Sequence, residues 1–174
     1  MEGTVNTRIG ITLLATGCTT LPNLSEICGS DAELSDTTIL SAQHVEGEVD
    51  YPDHPPMGGD HNECWTSWTA HPTEVPEENW VHNMEHGGVV FLYNCPESCD
   101  DEVASLTDFV AGLPTGRAVL TPYAEMDWQF GAVAWEHRLL TGCLDLDAFQ
   151  SFFDEHVGHG TEDMTGDPGT GCMP

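Results

Sequence analysis

The chain has no lysine and only three arginines, against 30 aspartates and glutamates in 174 residues. A formal net charge of -27 leaves nothing to neutralise a phosphate backbone, which excludes nucleic acid as a partner. It equally opposes adsorption on anionic lipid. No stretch is long and apolar enough to span a membrane. No glycine loop is followed by a helix-opening lysine, so a phosphate cradle is missing. No serine stands in a nucleophile-elbow context. What remains is one domain's length of acidic chain, able to bury a core and to attract cations. Such a surface suits a saline habitat, where salt screens its self-repulsion.

Seven cysteines are many for a cytosolic protein of this size. The N-terminus supplies a compartment. Arg8 precedes a short apolar stretch, Ile9 to Ala15, and then Ala15-Thr16-Gly17-Cys18. Small residues before a cysteine look like the cleavage site of a bacterial lipoprotein signal peptide. On that reading residues 1–17 are removed and Cys18 carries the lipid, the chain's one link to a membrane. The protein is then extracytoplasmic, a periplasmic or cell-surface lipoprotein of a bacterium. Six cysteines remain (Cys28, Cys64, Cys95, Cys99, Cys143 and Cys172), an even number with 15 pairings.

Residues 18–40 are polar and rich in turn formers, and read as an acidic tether. A single globular domain follows over 41–157. It opens with the Pro/Gly-rich loop "YPDHPPMGGDHNECWTSW", which Trp65 and Trp68 are expected to fasten to the core. Pro76 can open a helix that stops at Gly87. "GVVFLYN" reads as a buried strand. In the next helix Val103, Leu106, Val110 and Leu113 keep helical spacing, with Asp100 or Asp101 as cap. "RAVLTPY" and "GAVAWEHRLL" read as strands, the latter with Val133, Trp135, His137 and Leu139 on one face. A last helix turns Leu146, Phe149, Phe153 and Val157 inward. Residues 158–174 read as a flexible acidic tail that Cys172 can tie back. The order helix, strand, helix, strand, strand, helix predicts an α/β or α+β fold, a small sheet with helices packed on it. A thioredoxin-like arrangement satisfies that order.

His82 and His86, four apart on a helix, lie on one face with Cβ atoms roughly 6 Å apart. Two imidazoles so placed can hold one ion, and they suit copper or zinc better than calcium or magnesium. His61 in the "PPMGG" loop and His137 on a late strand are candidates to complete the site. Glu85 is expected to hold an imidazole N–H from behind. Met57 and Met126 are candidate soft ligands for Cu(I). Met84 points off the histidine face.

The segments "PPMGGDH" (55–61), "VHNMEHGGVVFLYN" (81–94), "LTPY" (120–123) and "AWEHRL" (134–139) occur in this order. Together they resemble the bacterial domain of unknown function 3105 family over about residues 50–157. That resemblance implies that His61, His82, Glu85 and His86 are the family's recurrent polar positions, and His137 a position shared by some members. It also implies an exported or tethered protein, and no particular activity. One departure is "CPESC", Cys95 to Cys99, which opens a helix and locally resembles copper-delivery proteins of the Sco type. It reads either as a structural disulfide or as a redox pair.

Three functions follow. The first is an exported, lipid-anchored metal-binding protein, copper preferred over zinc, serving binding or delivery rather than catalysis. The second is a zinc-dependent hydrolase in which His82-x-x-Glu85-His86 supplies two ligands and Glu85 the general base. A short helix ending at Gly87 weakens that one. The third is a module without metal, its histidines engaged in structural hydrogen bonds.

Overall fold

The computed structural model describes residues 26–162 and 171–172. The expected signal peptide, the lipidation site Cys18 and most of the C-terminal tail lie outside the described residues. Five strands form one mixed sheet: β1 (Ala32–Asp36), β2 (Val89–Tyr93), β3 (Ala118–Pro122), β4 (Phe130–Ala134) and β5 (His137–Thr141). Their spatial order is β1-β5-β4-β2-β3. Only β2 and β3 run parallel, joined through a helix; the other pairs are antiparallel. Three helices, α1 (Glu77–Glu85), α2 (Asp100–Gly112) and α3 (Leu146–His156), pack on the sheet. The fold is α+β.

The run "VVFLY" is buried on both faces, as a central strand must be. Val89 and Phe91 meet α2 and α3 through Leu106, Val110, Phe149, Phe152 and Phe153. Val90 and Leu92 face the other way, toward Trp80, Val81 and Met84 of α1. The sheet therefore separates a two-helix layer from a layer made of α1 and the long loop. Eight of the nine residues of α1 are buried, because the loop of residues 41–75 covers its outer side. Gly87, with φ of 76°, ends that helix where the sequence predicts.

Three expectations are corrected. "GAVAWEHRLL" is two strands, with Trp135 and Glu136 as the turn between the paired Ala134 and His137. Hydrophobic alternation continues through this tight turn, so the sequence reads as one strand. Folding back puts Val133 and Leu139 on opposite faces, since Val133 pairs with Arg138 and Leu139 with Ala132. Residues 32–36, placed in the tether, are instead an edge strand paired with β5. Residues 158–162, placed in the flexible tail, fold back on the end of α1. Gly158 N–H donates to Gly87 O at 2.8 Å and Glu162 N–H to Glu85 O at 2.9 Å. Gly160 lies so close that a Cβ would stand 2.1 Å from Glu85 O.

A smaller correction concerns α2, whose N-cap is Cys99 rather than an aspartate. All six cysteines expected to pair do so: Cys28–Cys143, Cys64–Cys172 and Cys95–Cys99. Among the described residues, no helix is long and apolar enough to cross a membrane. The disulfides are consistent with an extracytoplasmic domain.

Candidate metal centre

The last turn of α1 presents His82, Glu85 and His86 to the loop that covers it. His82 is 2 % exposed and its Nδ1 lies 2.7 Å from Asn62 O. A carbonyl only accepts, so Nδ1 carries the proton and Nε2 keeps a lone pair. That Nε2 stands 3.1 Å from His86 Nε2. Two nitrogens each about 2.0–2.1 Å from one tetrahedral ion would be roughly 3.3 Å apart. The pair thus already has the spacing of two ligands on one ion.

His61 is fully buried. Its Nδ1 is 2.8 Å from Gly59 O, which fixes the proton there by the same reasoning. Its Nε2 has no hydrogen bond. Glu85 Oε2 is only 2.9 Å away. A buried carboxylate and an imidazole nitrogen thus face each other inside the protein, an arrangement that a cation shared by both would stabilise. Glu85 is itself buried, and its Oε1 accepts from the Thr161 hydroxyl at 3.2 Å.

His44 closes the group from the solvent side. A parallel bridge joins it to His61, with Val45 N–H donating to His61 O and His61 N–H to Gln43 O. Asp60 holds this segment by accepting from Ser41 Oγ and Gln43 N–H, and these bonds keep its carboxyl below the usual range. One donor atom each from His44, His61, His82 and Glu85 falls within 4.8 Å of all the others. His44 was missed by sequence reasoning. Nothing in its spacing marks it, because a bridge between two irregular segments places it.

Burial pushes the His82 pKa down to about 4, with neighbouring His86, His61 and His44 adding to the shift against the Asn62 hydrogen bond. His86 is lowered too, again chiefly by burial. Both rings are neutral at pH 7, the form that binds a metal. The rings of His82 and His86 meet the edge of Trp65, at centroid distances of 5.1 and 4.9 Å. Trp65 therefore walls the site as well as holding the loop.

The remaining expected residues lie elsewhere. His137 points to the α2–α3 side, where its Nδ1 is 2.7 Å from Asp36 Oδ1 and its ring stacks on His156 at 4.2 Å. The hairpin turn ahead of it, unrecognised in the sequence, is the reason. Met126 packs in the core with Sδ against Gly131, and Met57 is buried where its carbonyl accepts from Glu136 N–H. The donors that converge are nitrogen and oxygen. Glu85, expected behind an imidazole, turns its Oε2 to the Nε2 of His61 among the converging donors. It also belongs to a second group with His86 and Glu162, the latter carried by the folded-back segment.

No curated protein and no solved structure matches this chain significantly. A family model does, over residues 44–172, beginning at the histidine that completes the cluster and ending at the cysteine that ties down the tail. The chain therefore belongs to the DUF3105 family, described as proteins of unknown function.

Proposed function

We propose that this protein binds a transition-metal ion through His44, His61, His82 and Glu85, with His86 beside them as a further donor. The observation that carries the reading is the convergence of one donor atom from each of these four residues within 4.8 Å, with the buried His61 Nε2 facing Glu85 Oε2 at 2.9 Å without a hydrogen bond. The neutral His82 and His86 rings support it.

Imidazole and carboxylate donors suit Cu(II) and Zn(II), whereas Cu(I) would call for sulfur. For a given site of this kind Cu(II) outranks Zn(II) in affinity, so copper is the ion the donors select in direct competition. The site serves binding or delivery rather than hydrolysis. Glu85, the base that hydrolysis would need, is engaged as a ligand. Export supports the same reading, because three disulfides use six of the seven cysteines and leave Cys18 for a lipid anchor.

Metal analysis of untagged protein tests this. One equivalent or more of copper or zinc is expected, with copper displacing zinc. A His82→Ala, His86→Ala double variant that kept full stoichiometry would overturn the reading, as would wild-type protein that took up neither ion.

A further inference from the structure

The three disulfides differ in what they join. Cys28–Cys143 and Cys64–Cys172 link residues 115 and 108 apart. Closures that long restrict the unfolded chain strongly. Cys95–Cys99 spans four residues and restricts it far less. α2 is docked as well by Leu106 and Val110, which are buried against the sheet.

The Cys95–Cys99 pair sits at the junction of β2 and α2, with both cysteines packed at the edge of the core. β2 ends at Tyr93 and α2 starts at Asp100, with Cys99 as N-cap, 6 % exposed, and Cys95 half-buried. The N-cap makes no side-chain hydrogen bond, so the first-turn amides of α2 are free of a capping side chain. A thiolate released at Cys99 lies where a helix N-terminus favours negative charge.

A cleft of about 390 Å³ lies beside the pair. One wall is Pro96, Glu97 and Ser98, the residues between the two cysteines; the other is Asp127, Trp128 and Gln129, just before β4. Asn94 joins the walls, its Nδ2 donating to Met126 O at 2.6 Å and its N–H to Gln129 O at 2.9 Å.

We propose that Cys95–Cys99 is a redox-active disulfide that exchanges with thiols docked in this cleft. A substrate thiolate attacks Cys95 Sγ, the more exposed sulfur. The S–S bond breaks and its electron pair leaves on Cys99. A second thiolate then attacks the substrate sulfur of the mixed disulfide and releases Cys95. The two protons given up by the thiols end on Cys95 and Cys99. Two thiols are oxidised to one disulfide and the protein pair is reduced to the dithiol. Glu97, Asp100, Asp101, Glu102 and Asp127 crowd the site with negative charge. The substrate class is therefore a neutral or cationic peptide thiol, with Trp128 offering an apolar surface, and anionic thiols are repelled.

The test treats the native full chain with cysteamine or glutathione at matched thiolate concentration, traps free thiols with iodoacetamide, and maps them by mass spectrometry. Cys95 and Cys99 are expected to be trapped at least tenfold faster than the other four cysteines. Cysteamine should react severalfold faster than glutathione, with the gap closing as salt is added. A Cys99→Ser variant, offered a lysine-flanked cysteine peptide as its mixed disulfide with thionitrobenzoate, should take the peptide onto Cys95 and release the thionitrobenzoate thiolate. Trp128→Ala should slow that transfer without changing the circular dichroism. Reduction of all three disulfides at one rate, or only in denaturant, would overturn the proposal. Equal rates for the two thiols, or no effect of Trp128→Ala, would overturn the substrate class.

Discussion

His61 Nε2 and Glu85 Oε2 stand 2.9 Å apart in the interior without the geometry of a hydrogen bond. In the absence of an ion, the buried Glu85 carboxylate has no hydrogen bond on this side, which costs stability. Glu85→Gln removes the charge, keeps the shape and gives Thr161 the same neighbour. The metal-free variant is therefore expected to melt no lower than the wild type. With metal the order reverses. A ligand at a hundred times its Kd stabilises the native state by about 2.7 kcal/mol, and the variant should lose most of that gain. Melting curves with copper, with zinc and with chelator check both halves. A variant that lost stability under chelator and kept the full metal-induced gain would contradict the assignment of Glu85 as ligand.

His44 is the exposed member of the proposed ligand set, with its side chain 46 % accessible. Removing it opens no cavity, so His44→Ala should change metal-free stability by no more than about 0.5 kcal/mol. Affinity should nevertheless fall at least tenfold, because one of the four converging donors is gone. Isothermal titration with Zn(II) beside a chelator-treated melt separates the two effects. Unchanged affinity would place the ion among His61, His82, Glu85 and His86 alone.

Trp65 meets both His82 and His86 edge-on, so an ion held by those rings lies within a few ångströms of an indole. Cu(II) quenches indole fluorescence at such range and Zn(II) does not. Copper should therefore dim the intrinsic emission saturably, and Trp65→Phe should reduce that quench, leaving the share of Trp135, whose ring lies 6.3 Å from that of His61. A quench as deep in Trp65→Phe as in the wild type would put the copper somewhere else on this acidic surface.

What was readable in the sequence follows from which interactions are local. α1, β2, α2, β3 and α3 announce themselves through helical spacing or a continuous apolar run bounded by Gly, Pro and Asp. The β4–β5 hairpin does not, because its turn is Trp135-Glu136 and the positive φ falls on Glu136, a residue that gives no turn signal. β1 is hidden for another reason. "AELSD" is short and half-exposed, and its pairing with β5 is made about a hundred residues away, beside Cys28–Cys143. The site divides in the same way. His82 and His86 are found by their four-residue spacing, and His61 by its fixed loop. His44 and Glu162 reach the cluster only through tertiary contacts, a bridge to His61 and a segment folded back on α1. His137 failed for the converse reason, since its expected face depended on a strand that turns back at residue 135.

The displaced His137 leads to a prediction about acid stability. His156 is 7 % exposed, stacks on His137 at 4.2 Å and meets Phe152 at 4.4 Å. Burial, then the His137 charge, pushes its pKa down to about 4, with Asp36 pulling the other way and His159 adding slightly. The unfolded chain binds this proton near pH 6.5, the folded chain only near pH 4. The unfolded state thus holds more protons between those values, and stability falls as pH is lowered through that window. The full contribution is present above about pH 6.5 and is lost by about pH 4, a change of about 2–3 kcal/mol. His156→Phe keeps a ring against Phe152 and removes the titration. The difference in unfolding free energy between variant and wild type, measured in chelator at pH 7 and again at pH 4.5, should shift toward the variant by roughly that amount. His82 and His86 titrate in the same direction in both proteins and cancel in the difference. Parallel pH profiles for the two proteins would mean that His156 is protonated at no cost inside the fold.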